Sequence, residues 1–205
     1  MKAIICAAGK GSRLKKNLPK CLIEVGGKKI IDWQLEALQD FEITVVCGYK
    51  SDKVLNYLKN KNCQIIINNE YELTSTAHSV SLCDFSEKCL ILDGDLIFLK
   101  EDIRNISFEN DWAAVTDAKS FMPVYVKIDE ENNIIEFNSE KSNYEWACMC
   151  YTYPNYFINK KNKFVYEVLE NFKINKAVYI DLFEIDTPED LIGYCQWDKI
   201  NFMKK

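Results

Sequence analysis

After an apolar opening stretch, Ala7-Ala8-Gly9-Lys10-Gly11-Ser12-Arg13-Leu14 leads on to Pro19-Lys20. Glycines directly after a first strand let backbone N–H groups approach a phosphate closely. Arg13 adds a planar fork of donors for phosphate oxygens, and Lys20 a compact point charge. Two common nucleotide fingerprints are absent. A dinucleotide motif needs a third glycine where Leu14 stands, and a P-loop needs Gly-Lys-Ser/Thr after four intervening residues. Gly-x-Gly alone is weak, and solvated bases on a surface turn would explain it equally well. With Arg13 and Pro19-Lys20 added, a triphosphate cradle is the better reading.

A second set of candidates is acidic. Leu92-Asp93-Gly94-Asp95 stands at the C-terminal end of an apolar strand, the edge at which open α/β sheets bind ligands. Two carboxylates around a glycine suit a Mg²⁺ that also takes phosphate oxygens, although an exposed Asp-Gly turn has the same letters. Further on lies Glu184-Ile185-Asp186-Thr187-Pro188-Glu189-Asp190-Leu191. Here Thr187 as N-cap, Pro188 at the first helical position and Asp190 at the third explain themselves as helix-start chemistry. Asp186 needs no such role, and could also simply end a strand. In Thr74-Ser75-Thr76-Ala77-His78-Ser79, small hydroxyls at a helix start could read a base edge or merely cap the helix. His78 is the one histidine, and a structural or ligand-edge role suits it better than catalysis, because an acceptor phosphate is already an anion. Lys141 follows a hairpin, where solvated lysines are also common.

These residues need a scaffold. Apolar runs and helical periodicity predict strands over 2–7, 43–49, 63–68 and 89–92, alternating with helices over 30–41, 51–58 and 76–85. Ser51 is the expected cap of the second helix. Continuous strands between helices indicate a parallel sheet covered on both faces. The pattern then changes to strands over 112–116, 124–129, 134–138 and 145–153, with a hairpin turn at Asp129-Glu130-Glu131-Asn132-Asn133. A helix over 164–172 and a last one after Thr187 complete the reading. The expectation is one α/β domain over 1–205, Rossmann-like, with a mixed central sheet and a small antiparallel insert.

Composition narrows the function classes. The 205 residues are 48% hydrophobic and 28% charged with net charge −5, ordinary for a globular protein with a real core. No broad basic field is available for nucleic acid or anionic lipid, so a polyphosphate must be gripped by a few placed cations. No apolar run approaches the roughly 20 residues that span a bilayer, and the apolar start is too short for a signal peptide. The nine cysteines are scattered, with no C-x-x-C, which predicts reduced core thiols in a cytoplasmic protein.

The first loop, together with Pro19-Lys20-Cys21-Leu22, resembles the signature of the NTP-transferase family, which includes sugar-1-phosphate nucleotidyltransferases and small phosphocholine-type cytidylyltransferases. The resemblance implies a glycosyltransferase-A-like fold, with an NTP-binding half over about 1–118 and an acceptor half over about 119–205. It implies that Arg13 and Lys20 hold the triphosphate, that Ala7, Ala8, Gly9, Lys10, Gly11 and Ser12 contact the nucleotide, and that Ser75, Thr76 and Ser79 belong to the base loop. Asp95 and Asp186 would then bind Mg²⁺, and Lys141 in Glu140-Lys141 would meet the acceptor phosphate. The short Arg13-to-Pro19 spacing favours the cytidylyltransferase branch. Expected partners are therefore an NTP, CTP first, and a small phosphorylated acceptor such as phosphocholine or phosphoglutamine, for a cell-surface polysaccharide; a homodimer is left open. A quaternary ammonium wants an aromatic cage, for which Phe121-Met122-Pro123 lacks a tryptophan unless Trp112, Tyr144 or Trp146 supplies one. A sugar-1-phosphate nucleotidyltransferase is the alternative. A metal-dependent glycosyltransferase is a weaker one, since it would not need Arg13 and Lys20.

Overall fold

The computed structural model describes residues 1–202, with side chains described through residue 197. The elements begin with strand β1 (Lys2–Ala7), a small hairpin of β2 (Glu24–Val25) and β3 (Lys28–Lys29), helix α1 (Ile30–Ala37), β4 (Glu42–Cys47) and α2 (Ser51–Leu58). They continue through β5 (Gln64–Ile67), α3 (Thr76–Ser81), β6 (Cys89–Asp93), β7 (Leu96–Ile97) and α4 (Lys100–Ile103). The second half contributes β8 (Trp112–Asp117), β9 (Tyr125–Ile128), β10 (Ile134–Phe137), β11 (Tyr144–Thr152), α5 (Val165–Asn171), β12 (Ala177–Tyr179), β13 (Phe183–Glu184) and α6 (Pro188–Phe202).

A nine-stranded sheet carries both halves. Its parallel part runs β5-β4-β1-β6. Antiparallel β11 then lies against β6 and also pairs with β8 and β9, with β10 beyond β9 and β12 beside β8. The antiparallel strands thus extend the same sheet instead of forming a layer of their own. Alternation along β1 explains why its sequence is apolar throughout after Lys2. Ala3 and Ile5 join one core cluster, with residues of α1, α2 and α4, while Ile4 and Cys6 join the other, with residues of α3 and α5. Successive side chains of a strand point to opposite faces, so a strand covered on both sides must be apolar throughout.

Local departures from expectation have identifiable causes. Helix α1 stops at Ala37 rather than Phe41 and α3 at Ser81 rather than Phe85; the apolar residues past each end still pack into the core as turns. Ser51 is the first residue of α2, not its cap; Lys50 precedes it in the left-handed region, φ 47°. The last helix follows the predicted pattern, with Thr187 and Asp190 bonded reciprocally (Thr187 N to Asp190 Oδ2, 2.7 Å; Asp190 N to Thr187 Oγ1, 3.3 Å). All nine cysteines are unpaired. Among the described residues no helix is long and apolar enough to cross a membrane.

Candidate active site

The first strand ends where the acid turn begins. Gly94 N donates to the Cys6 carbonyl at 2.9 Å, and a Cβ at Gly94 would come within 2.7 Å of Ala7 Cβ. Only glycine lets the two strand ends approach this closely. Buried Gln34 on α1 pins the same turn, donating to the carbonyls of Asp93 (2.8 Å) and Leu96 (3.0 Å). The second acidic segment reaches this point through β13, which pairs antiparallel with β7, Glu184 opposite Leu96. Ile185 N then donates to the Asp95 carbonyl at 2.9 Å. This two-stranded ribbon closes a distance of some ninety positions in sequence. In both acid pairs, Asp93/Asp95 and Glu184/Asp186, the members are two residues apart; the first pair straddles the Gly94 turn between β6 and β7, and the second spans the end of β13.

Lys20 sits among these acids. It donates to Asp95 Oδ2 at 2.7 Å and also to Asp186 Oδ1. Arg13 Nη1 pairs with Asp186 Oδ2 at 2.5 Å. The left-handed φ of Gly11, 58°, and the 2.4 Å that would separate a Cβ there from Lys20 Cγ show why the loop has glycine as Lys20 passes it. Carboxylate oxygens of Asp95, Glu184 and Asp186 lie within 4.8 Å of one another. Asp95 Oδ1 is buried without a hydrogen-bond partner.

The electrostatics follow from this crowding. Burial opposes the Lys20 charge, but attraction to Asp95 and Asp186 and the hydrogen bonds to both overcome it and raise its pKa. Burial, followed by repulsion from Asp95, pushes Asp93 and Glu184 well above the usual carboxylate range. Cys21, also at the cavity, is pushed up to about 12 by burial and is not a nucleophile at neutral pH.

A cavity of about 290 Å³ opens over this cluster. Ala7, the Gly9-to-Arg13 segment, Lys20, Thr76, Asp95 and Asp186 are among its lining residues. The remaining candidates are placed differently. Ala8 is buried, and its carbonyl accepts from Tyr49 N at 2.9 Å. Lys10 belongs to the lining, but its ammonium is engaged with Glu72 at 2.6 Å. Ser75 donates to the carbonyls of Lys161 (3.0 Å) and Lys163, tying α3 to the second half. Ser79 is buried and accepts from Asn68 Nδ2 at 3.1 Å. Among the three hydroxyls assigned to a base loop, Thr76 alone lines the cavity, because helical rotation turns Ser79 into the core. Lys141 is exposed on its loop and is not part of the lining. His78 is buried against Ser81 and Glu70. Trp112 and Trp146 are core residues packed on Tyr151 and Phe137, so neither supplies the expected cage.

Sequence reasoning missed the metal-capable position of Glu184 and the supporting roles of Gln34 and Asn68. The i, i+2 acid spacing was the available signal for Glu184. Nothing in the sequence marks Gln34, whose partners come from β6 and β7.

Residues 3–126 match the MobA-like NTP transferase domain, more than half of the chain. The chain belongs to the MobA-like NTP transferase family. The CTP:phosphoglutamine cytidylyltransferase of Campylobacter jejuni is 39% identical over 134 residues, covering 62% of this chain and 52% of that protein. The choline-phosphate cytidylyltransferase of Streptococcus pneumoniae is 33% identical over 113 residues, covering 51% and 49%. The chain spans about half the length of these curated relatives in those matches. In fold, the solved CTP:phosphocholine cytidylyltransferase from Streptococcus pneumoniae superposes with TM-score 0.76, covering 97% of this chain and 98% of that one at 17% identity. The NTP-transferase match ends in β9, so it contains the first loop and Asp95, while Glu184 and Asp186 lie beyond it.

Proposed function

We propose that this protein transfers CMP from CTP to a small phosphorylated acceptor and releases pyrophosphate, with Mg²⁺ as cofactor. The observation that carries the reading is the convergence of Lys20 and Arg13 on Asp95 and Asp186, two cations and two acids at the mouth of one cavity. The cytidylyltransferase relatives support CTP as donor and a phosphorylated small molecule as acceptor.

The donor set fits the cation. Asp95, Glu184 and Asp186 offer hard oxygen ligands within 4.8 Å of one another, and the orphaned Asp95 Oδ1 is a buried acceptor awaiting a partner. Asp95 Oδ2 and Asp186 Oδ1 already take a cationic partner in Lys20, which supports the reading. When bound there, the ion supplies charge neutralisation on the reacting phosphates.

The protein's own part is positioning and electrostatics. Backbone N–H groups of the glycine loop cradle the triphosphate, and Arg13 grips its oxygens. Lys20 shifts from the carboxylates to the α-phosphate region, where negative charge grows. An acceptor phosphate oxygen attacks the α-phosphorus, a new P–O bond forms, and the α–β bridging bond breaks with its electrons on pyrophosphate. No side chain need accept a proton, since the attacking phosphate is an anion. Thr76, which lines the cavity, would meet the nucleotide base or ribose. For the acceptor, a phosphorylated amino acid such as phosphoglutamine suits the site better than phosphocholine, because Trp112 and Trp146 are buried in the core and only the half-buried Tyr144 is left of the residues that could cage a quaternary ammonium.

The test is a pyrophosphate-release screen of four NTPs against phosphorylated amines, amino acids and sugar 1-phosphates, with and without Mg²⁺. CTP with a phosphorylated amine or amino acid is expected to give the highest turnover. Turnover confined to sugar 1-phosphates would move the protein to the sugar branch, and pyrophosphate release from no pair would refute the reading.

A further inference from the structure

Asp190 is almost fully buried, and its two oxygens serve different parts of the chain. Oδ2 accepts from Asp186 N (3.0 Å), Thr187 N (2.7 Å) and Thr187 Oγ1 (2.9 Å). Oδ1 accepts from the backbone N–H of Phe121 at 3.1 Å, sixty-nine positions earlier. Capping the helix requires only the first set, so the bond to Phe121 is additional to that task. The loop it holds is fastened at the two preceding residues as well. Glu145 Oε1 accepts from Lys119 N (3.2 Å) and Ser120 N (3.1 Å), and Lys119 Nζ donates to Asp181 at 2.9 Å. Three successive residues are thus anchored on three acids. Yet the side chains this loop presents, Phe121 and Met122, are 63% and 60% exposed. An anchored backbone carrying unburied apolar side chains is built to hold a surface in place, not to fill a core. That surface lies one carboxylate and two hydrogen bonds from the backbone of Asp186.

We propose that Asp190 is a positioning residue, whose single carboxylate holds Asp186 and the loop over 119–123 in one frame so that acceptor and nucleotide phosphate meet in register. The proposal rests on the nucleotidyltransferase reading. Asp190 itself touches neither substrate. A reactant lying against Phe121 and Met122 is located relative to Asp186 by this bridge, and small misplacements of reacting groups are costly.

Asp190→Asn offers one carbonyl oxygen where two acceptors are needed. The richer set of donors at the helix start keeps that oxygen, and the amide turns its N–H groups toward Phe121 N. Thr187→Ala is the structural control, since it removes the cap hydroxyl and leaves the bridge. In Asp190→Asn, exchange of the Phe121 amide with solvent should accelerate about tenfold or more. Its kcat/KM for the acceptor should fall about tenfold while CTP binding stays within about twofold. Thr187→Ala should lower Tm but leave Phe121 exchange and acceptor kcat/KM as in wild type. Phe121→Pro, which removes the donor from the other side and preserves the cap, should lower acceptor kcat/KM well below that of Phe121→Ala, which loses the same ring but keeps the N–H, and this pair serves if Asp190→Asn does not fold. Unchanged Phe121 exchange in Asp190→Asn, or an equal acceptor defect in Thr187→Ala, would reduce Asp190 to a helix cap and overturn the proposal. If wild type releases no pyrophosphate with any acceptor tried, the nucleotidyltransferase reading fails separately, and Phe121 exchange still decides whether the bridge exists.

Discussion

Lys20 donates a hydrogen bond to Asp186, 166 positions later in the chain, and a second one to Asp95. One ammonium therefore bridges two acids from distant parts of the chain. In the proposed reaction it moves onto the phosphates, where its partner charge grows. Lys20→Ala should lower kcat and kcat/KM for CTP together, by roughly 10²–10³-fold. An effect on the KM for CTP alone would make Lys20 a ground-state tether. Arg13→Lys should recover only part of the rate, since an ammonium cannot make the two-pronged contact of a guanidinium.

Glu184 gives a prediction in pH. Burial and the neighbouring acids raise its folded pKa above the unfolded value. Its contribution to stability is then fully present below the ordinary carboxylate range and is lost as pH rises through the raised folded value. In the absence of metal, Glu184→Gln should flatten the decline in Tm across that window, with a limiting slope difference of about 1.4 kcal/mol per pH unit for one proton. The same sign governs cation binding, because a proton on Glu184 competes with the ion. Mn²⁺ affinity, followed by titration calorimetry, should rise with pH in wild type and rise less steeply in Glu184→Gln. Parallel slopes would remove Glu184 from the donor set.

Gly11 tests the path of Lys20. Alanine there would be strained at φ 58° and would place Cβ 2.4 Å from Lys20 Cγ. Gly27→Ala is the comparison, equally strained at φ 79° but with nothing within 4 Å. Both should lose about 1 kcal/mol of stability from backbone strain. Gly11→Ala should also lose most turnover, whereas Gly27→Ala should keep it. Equal turnover in the two variants would show that Lys20 has room to pass.

What could be read from the sequence was whatever depends on local chemistry. The apolar strands, the Thr187–Asp190 cap, the glycine loop and the two acid segments are each written in a few adjacent letters, and each is found where spacing puts it. Pairing between remote segments was not legible. The β7–β13 ribbon consists of two residues on each side, too short for any periodic signal, yet it carries Glu184 into the site. Gln34 carries no sequence signal, yet it is fully buried, and its donors serve the Asp93 and Leu96 carbonyls. Ser75 and Ser79 have the composition of a ligand loop, but helical rotation and the Lys161 and Asn68 contacts direct them elsewhere.

That last division separates two hydroxyls that look interchangeable in sequence. Thr76 lines the cavity with the glycine loop, so Thr76→Ala should raise the KM for CTP and narrow the preference for CTP over other NTPs, with little change in Tm. Ser79 accepts from Asn68 Nδ2 inside the core. Its removal leaves Asn68 with Thr74 at 3.4 Å, while Asn68 Oδ1 still holds Glu70 N at 2.9 Å. Ser79→Ala should therefore lower stability by about 1 kcal/mol, the usual cost of a lost buried hydrogen bond, and leave the order of NTP preference intact. Competition assays with paired NTPs, run beside thermal melts, distinguish the two outcomes. If Ser79→Ala narrows the preference and Thr76→Ala does not, the base lies on the Asn68 side of α3, and the nucleotide is oriented otherwise than the cavity lining indicates.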